Sequence, residues 1–163
     1  MSSRIGDIYE QIKEPALRVL YRHWDETRGG RAAPAVVEID PAGLPVLHGS
    51  LAVVDTAERL DGFRFRYFGD ALRLRFRQER RDMTFSQIKR IGVLEEPLEG
   101  YWTTYSQCVA TYLPLAPLAG DRPKVSFSRL LLPIMGADST PVRILAGFAF
   151  CHSRNRPAGS LAW

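Results

Sequence analysis

Apolar positions near the N-terminus recur with the period of an α-helix. A first helix is predicted over residues 5–13, ending before Pro15 because a residue that precedes proline avoids the α region. A second helix begins at Pro15 and ends at Gly29-Gly30. Its apolar side chains fall at i, i+3, i+4 and i+7 and form one stripe: Leu17, Leu20, Tyr21 and Trp24. Beyond it, Asp40-Pro41 predicts a turn that can begin a short helix through Leu47.

Two strand patterns follow, and a hairpin signal joins them. The β-branched run over residues 50–57 is typical of a strand covered on both faces, and Asp61-Gly62 predicts the turn into a second strand over residues 63–68. Because strand side chains alternate between faces, one face is expected to carry Phe63, Phe65 and Tyr67. The opposite face is expected to carry Arg64, Arg66 and Phe68.

Helical and then extended patterns make up the second half of the chain. Residues 71–82 favour a helix, although their alternation of leucine and arginine also suits a strand, and residues 84–91 favour another turn. A helix opened by Pro97 carries an apolar face: Leu98, Tyr101, Trp102, Tyr105, Cys108 and Val109. Apolar runs over residues 110–118, 124–133 and 142–150, separated by glycine-containing turns, predict a three-strand antiparallel meander.

The order of these elements predicts an α+β domain, with a five-stranded antiparallel sheet, helices on one face and an N-terminal helical extension. The 163 residues suit one domain of ordinary globular composition. The formal charge of +4 only weakly favours acidic partners. No apolar stretch is long enough to cross a membrane, no signal peptide is recognisable, and two cysteines are too few for a disulfide framework. A cytoplasmic protein is expected.

The stretch FRFRYFGD at residues 63–70 interleaves aromatic residues with arginines, as nucleic-acid-binding sheets also do. Stacked bases need aromatic and cationic side chains exposed on the same face, whereas strand alternation separates them here. The stretch also lacks the glycine pattern of an RNP1 motif. A half-buried strand is therefore favoured. The alternative is a basic nucleic-acid binder that uses the arginines farther along: Arg73, Arg75, Arg77, Arg80 and Arg81.

Four stretches, together with the element order, resemble the bacterial single-domain PAS proteins found mainly in α-proteobacteria. They are LYRHW (20–24), GRAAPAVVEIDP (30–41), FRFRYFGDALR (63–73) and SRLLLPI (128–134). The resemblance implies a PAS-like core over residues 49–152, a helical extension over 1–48 and a tail over 153–163. It also implies a non-enzymatic sensory or regulatory domain that binds a small molecule, a signalling protein, or both. Residues 77–83 depart from the glycine-rich turn of the family, which bears on whether a helix-lined pocket is open.

Aromatic side chains are expected to converge between the sheet and the helices: Phe65, Tyr67, Phe76, Tyr101, Trp102, Tyr105 and Phe127. Core packing is the simpler interpretation, and the alternative is a small apolar pocket in which tyrosine hydroxyls orient a ligand. Arg129 shares a strand face with Phe127 and Leu131. It would meet either a carboxylate ligand or a structural partner, Asp55 or Asp70.

Catalytic and cofactor signatures are not found in the sequence. Adjacent strand residues face opposite sides, so Cys151-His152 is not expected to act as a catalytic dyad, and the three histidines lack metal-ligand spacing. The helical histidine of haem-binding PAS domains is missing, and Cys108 lacks the context of flavin-binding ones. We expect no metal and no coloured cofactor. A small enzyme on a cone-like α+β scaffold is a further alternative, with Asp55 or Asp70 as its only candidate acids.

Output is expected to pass through contact with another protein or with a second copy, because no kinase, cyclase or helix-turn-helix sequence is found. The stripe formed by Leu17, Leu20, Tyr21 and Trp24 is the predicted partner interface. The favoured form is a two-fold homodimer in which each N-terminal helix covers the neighbour's sheet.

Overall fold

The computed structural model describes residues 8–39, 48–91, 97–114, 127–138 and 140–150. Its helices are α1 (Pro15–Arg28), α2 (Asp70–Phe76), α3 (Phe85–Ile91) and α4 (Glu99–Gln107). Its strands are β1 (Leu51–Asp55), β2 (Arg64–Phe68), β3 (Thr111–Leu113), β4 (Phe127–Met135) and β5 (Pro141–Phe150). The helix predicted from Asp40-Pro41 and the C-terminal tail lie outside the described residues. Across the described ranges, no helix has both the length and the apolar character that a membrane span requires.

The five strands form one antiparallel sheet in the order β2-β1-β5-β4-β3. β1 and β2 form the predicted hairpin, and β3, β4 and β5 form the predicted meander that returns beside β1. The β2 edge is partly covered, because the Phe85 N–H donates to the Phe63 carbonyl at 2.8 Å and the Asp82 N–H donates to the Phe65 carbonyl at 2.7 Å. The predicted α+β fold is confirmed.

The sheet separates two apolar cores. The inner core lies between the sheet and α2, α3 and α4, and it contains Phe65, Phe76, Tyr101, Phe127 and Phe148 among others. The outer core lies between the opposite face and α1. Alternation along β4 assigns Leu131 to the inner core and Leu130 and Leu132 to the outer core, as strand geometry requires. One sheet therefore supports both cores.

Helix α1 forms the outer core with the predicted stripe. Pro15 is at the helix start and Gly29 adopts φ 61° just after its end, so both predicted boundaries are confirmed. The stripe residues are buried against the sheet of their own chain: Leu17, Leu20, Tyr21 and Trp24. Burial of each such side chain stabilises the fold by about 1.5–3 kcal/mol. A helical turn at residues 8–11 is the described part of the predicted first helix.

A β-bulge in β2 overturns part of the predicted face assignment. Val53 lies opposite Tyr67 and Val54 lies opposite Phe65, so Arg66 is an extra residue without a partner in the ladder. Side-chain alternation shifts at that point: Phe68 joins the inner core beside Phe65, with ring centroids 5.2 Å apart, and Tyr67 packs against the outer core. The predictions that Tyr67 shares a face with Phe65, and that Phe68 shares one with the arginines, are wrong. The exposure of Arg64 and Arg66 is confirmed.

Two helices end earlier than the pattern predicted. The helix predicted over residues 71–82 ends at Phe76, because Arg77 adopts the left-handed conformation with φ 56°. Cys108 caps α4 with φ 51° and does not continue its apolar face, and it contacts the outer core. Burial raises the pKa of the Cys108 thiol, which favours its protonated form.

Candidate functional site

The inner core is a continuous cluster of aromatic rings. Phe76 contacts Phe127, Phe148 and Phe150 with ring centroids 5.5, 5.8 and 6.0 Å apart, and Phe85 contacts Tyr101 at 5.0 Å. Such edge-to-face contacts stabilise the cluster beyond the burial of its area. Five of the seven aromatic residues that were expected to converge here point into this cluster or pack against it: Phe65, Phe76, Tyr101, Tyr105 and Phe127. Tyr67 does not, because the bulge turns it outwards. Trp102 lies at the margin with 38% of its side chain exposed.

Arg129 brings a charge into this apolar interior. Its side chain is only 3% exposed, and its position between Phe127 and Leu131 on β4 confirms the predicted strand face. The guanidinium lies 4.7 Å from the centroid of the Tyr101 ring, a cation–π contact, and its Nη1 donates to the Pro97 carbonyl at 2.6 Å. Gly100 makes room for it, because a Cβ there would lie 2.6 Å from Nη2.

The predicted structural partners of Arg129 are engaged elsewhere. Asp55 pairs with Arg66 at 3.1 Å and with Arg143 at 3.2 Å, across the end of the sheet. Asp70 pairs with Arg73 at 3.6 Å. The prediction of an ion pair between Arg129 and Asp55 or Asp70 is therefore wrong, because the β2–β1–β5 register places Asp55 beside other arginines.

Arg80 is a second interior guanidinium that the sequence did not reveal. Its side chain is 1% exposed, and the guanidinium lies 4.6 Å from the Phe76 ring and 5.6 Å from the Phe68 ring. The Nε atom donates to the Gln78 side-chain oxygen at 3.0 Å. In the sequence Arg80 is one of a run of arginines, and only the reversal of the chain after Arg77 turns it inwards. Its assignment to a nucleic-acid-binding surface is wrong, because a buried guanidinium cannot contact phosphates.

The interior offers cations and rings but little for acid–base chemistry. Among the described residues, the buried polar or charged side chains are Arg28, Arg80, Thr104, Ser128 and Arg129. This set contains no carboxylate and no imidazole. The side chain of Asp55 is 32% exposed and that of Asp70 is 82% exposed, so neither is the buried acid that an enzyme of this scaffold would need. No three metal-binding side chains come together within the described ranges.

The outer core contains a polar contact between distant parts of the chain. Glu14, just before α1, accepts hydrogen bonds from the Tyr112 hydroxyl at 2.7 Å and from the Ser128 hydroxyl. Burial, together with the nearby Glu14 carboxylate, raises the pKa of Tyr112 above its ordinary value of 10.0. The Trp24 indole N–H donates to the Pro133 carbonyl at 2.9 Å. These bonds hold α1 to the sheet at both of its ends.

The family comparison agrees with this architecture. The model of the PAS domain family matches residues 12–149, which include α1 and all five strands apart from the last residue of β5. Searches of the curated proteins and of the solved structures found no match. Because the family model covers well over half of the chain, this protein belongs to the PAS domain family.

Proposed function

We propose that this PAS domain is a non-enzymatic sensor or regulator, and that its inner core binds a small apolar molecule that carries a carboxylate. PAS domains are in general sensory and regulatory. The observation that carries the proposal is Arg129, a charged side chain that β4 directs into the aromatic interior against Tyr101 and Pro97. A binding partner protein is the second element of the proposed function.

The chemistry of the interior favours a carboxylate. A carboxylate held in two parallel hydrogen bonds is the strongest ligand for a guanidinium, and it would add to the contacts that Arg129 already makes with Tyr101 and Pro97. The rings around Arg129 supply apolar area for the remainder of such a ligand.

A non-enzymatic role is supported by the placement of the candidate acids. Asp55 lies at the end of the sheet between Arg66 and Arg143, and Asp70 is on the surface. A general acid or base has to reach its substrate within hydrogen-bond distance, and neither carboxylate faces the aromatic interior. We therefore propose binding without turnover.

The test is a thermal-shift screen of the purified protein with fatty acids and aromatic carboxylic acids. A carboxylate ligand should raise the melting temperature of the wild type, and Arg129→Gln should abolish the increase while it leaves the response to the matching alcohols unchanged. Arg143→Gln is the matched control, because Arg143 pairs with Asp55 outside the aromatic cluster. If no carboxylate shifts the wild type, or if Arg129→Gln responds like the wild type, the carboxylate site is refuted.

An absorbance spectrum and a native mass spectrum of the freshly purified protein test for retained molecules. We expect a colourless protein, because the sequence lacks the residues with which relatives hold haem or flavin. A Soret or flavin band at stoichiometric occupancy would contradict this expectation.

A homodimer formed by the α1 stripe is also a proposal. In the single chain the stripe covers its own sheet, so a dimer of this kind requires two chains to exchange their N-terminal helices. Light scattering at micromolar concentration measures the mass directly. A monomer would refute the exchange.

A further inference from the structure

The excess positive charge of this protein is confined to one short segment. Residues 63–83 contain seven arginines and three acidic residues, whereas the rest of the chain contains fifteen basic and fifteen acidic residues. The whole formal charge of +4 therefore comes from β2, α2 and the turn after α2. Six of the seven arginines are exposed, and we call them the basic face: Arg64, Arg66, Arg73, Arg75, Arg77 and Arg81.

Polar contacts surround three arginines of the basic face, Arg64, Arg73 and Arg81, beside the β2 edge of the sheet. Glu79 lies 4.0 Å from Arg73 and 3.7 Å from Arg81, so these two arginines share one carboxylate. Arg64 donates through Nη1 to the Asp82 carbonyl, beside Arg81 in the chain. The side chains of Arg73 and Arg81 are still 45% and 52% exposed, so both guanidinium groups remain accessible to a partner.

An apolar side chain stands among these cations. Leu74 on α2 is 68% exposed, although its neighbours Leu72 and Phe76 are buried in the inner core. Leu74 is flanked in the chain by Arg73 and Arg75. A small apolar centre within a charged rim is the usual arrangement of a protein–protein interface.

We propose that the basic face docks an acidic segment of a partner protein, with an apolar side chain of that segment packed on Leu74. Charge complementarity selects the occupant, because an acidic chain matches the positive charge that accumulates on residues 63–83. This inference rests on the proposed function, because it assigns a binding surface to the partner protein that the proposed sensor requires.

The same observations disfavour the other anionic partners. Nucleic acid would need exposed rings among the arginines for stacking, but Phe65, Phe68 and Phe76 are all buried. A membrane surface would need an amphipathic helix with a broad apolar face, whereas α2 is seven residues long and already buries Leu72 and Phe76.

Fluorescence anisotropy with defined probes tests the proposal on the full-length protein. The probes are a labelled acidic dodecapeptide with one central leucine, the same peptide with serine in place of leucine, a single-stranded oligothymidylate, and vesicles that contain phosphatidylserine. The Arg73→Gln/Arg77→Gln variant should bind the leucine peptide about tenfold more weakly than the wild type. Leu74→Ser should abolish the preference for the leucine peptide over the serine peptide. The control Arg59→Gln/Arg90→Gln removes two exposed arginines from outside the segment and should bind like the wild type.

The proposal is overturned if oligothymidylate or vesicles bind more tightly than the leucine peptide. It is also overturned if Arg73→Gln/Arg77→Gln binds as tightly as the control variant. All substituted residues are exposed, and circular dichroism verifies that each variant is folded. The peptide titrations contain no fatty acid or aromatic carboxylic acid, and the thermal-shift screen contains no peptide, so a failure here and a failure of the carboxylate site are told apart.

Discussion

Gly147, in the middle of β5, is a position at which side chains of α1 approach the sheet closely. A Cβ on this residue would lie 2.5 Å from Cδ2 of Leu20 and 3.2 Å from Cδ2 of Leu17. The Gly147→Val substitution should therefore displace α1 and lower the free energy of unfolding by about 1–3 kcal/mol, measured by urea denaturation. Gly30→Ala is the control, because nothing lies within 4 Å of a Cβ there, and it should change stability by less than about 0.5 kcal/mol. Equal stability of Gly147→Val and the wild type would mean that α1 does not pack this tightly.

Because of the bulge at Arg66, substitutions of neighbouring β2 residues should lower the free energy of unfolding by unequal amounts. Phe65 is fully buried, so Phe65→Ala should lower the free energy of unfolding by about 3–5 kcal/mol. Arg64→Gln and Arg66→Gln should each cost less than about 1 kcal/mol, because both side chains face water and exposed ion pairs contribute little. Urea denaturation of the three variants ranks them directly. The reverse order would mean that the faces of β2 are misassigned.

At the scale of elements, the sequence predicted what local patterns determine. The period of α1, the hairpin turn before β2 and the three runs of the meander all depend on residues close together in the chain. The bulge was missed because it arises from the register between β1 and β2, which no local pattern encodes. The inward turn of Arg80 was missed for a different reason: it follows a left-handed conformation at Arg77, and arginine is not a residue type that marks this conformation in a sequence.

The sequence also predicted part of the candidate site. Strand alternation placed Arg129 correctly among the inner-core side chains, and it failed for Tyr67 only because the bulge intervenes. The hydrogen-bond partners described above for Arg129 and Glu14 lie 32 to 114 residues away in the chain, so the sequence alone offered no means of pairing them.

The contact between Glu14 and Tyr112 predicts how firmly α1 is held. Tyr112→Phe removes one hydrogen bond to a carboxylate and should lower the free energy of unfolding by about 1–2 kcal/mol at neutral pH. The pKa of Tyr112 is raised in the folded state. The difference in the free energy of unfolding between the wild type and Tyr112→Phe is therefore complete below pH 10.0 and decreases as the pH rises through the folded-state pKa. Urea denaturation across this pH range measures both effects. Tyr9→Phe, at a tyrosine that accepts its hydrogen bond from exposed Arg22, is the matched control and should cost less than about 0.5 kcal/mol. A pH-independent difference between Tyr112→Phe and the wild type would contradict this account.

At the scale of the whole molecule, the sheet couples the two cores. Leu130 and Leu131, or Leu145 and Ile144, are adjacent in a strand and yet belong to opposite cores. Within the described part of the chain, a change in the inner core can therefore reach α1 through the five strands that both cores share. The PAS domain is in this respect one packed unit, and α1 is part of it.

Two tryptophans can report whether the two cores unfold together. Trp24 is buried in the outer core, and Trp102 borders the inner core. The variant Trp102→Phe/Trp163→Phe leaves Trp24 as the only fluorescent indole, and Trp24→Phe/Trp163→Phe leaves Trp102. In each variant, urea unfolding followed by fluorescence should coincide with unfolding followed by far-ultraviolet circular dichroism, because loss of either core exposes the sheet that supports the other. The Trp24→Phe/Trp163→Phe variant lacks the hydrogen bond from Trp24 to Pro133, so its urea midpoint should be lower than that of the wild type. Its fluorescence and dichroism transitions should still coincide. If instead Trp24 fluorescence changes at a lower urea concentration than the dichroism, α1 detaches from an intact sheet. The N-terminal helix would then be a releasable cover and not a structural part of the domain.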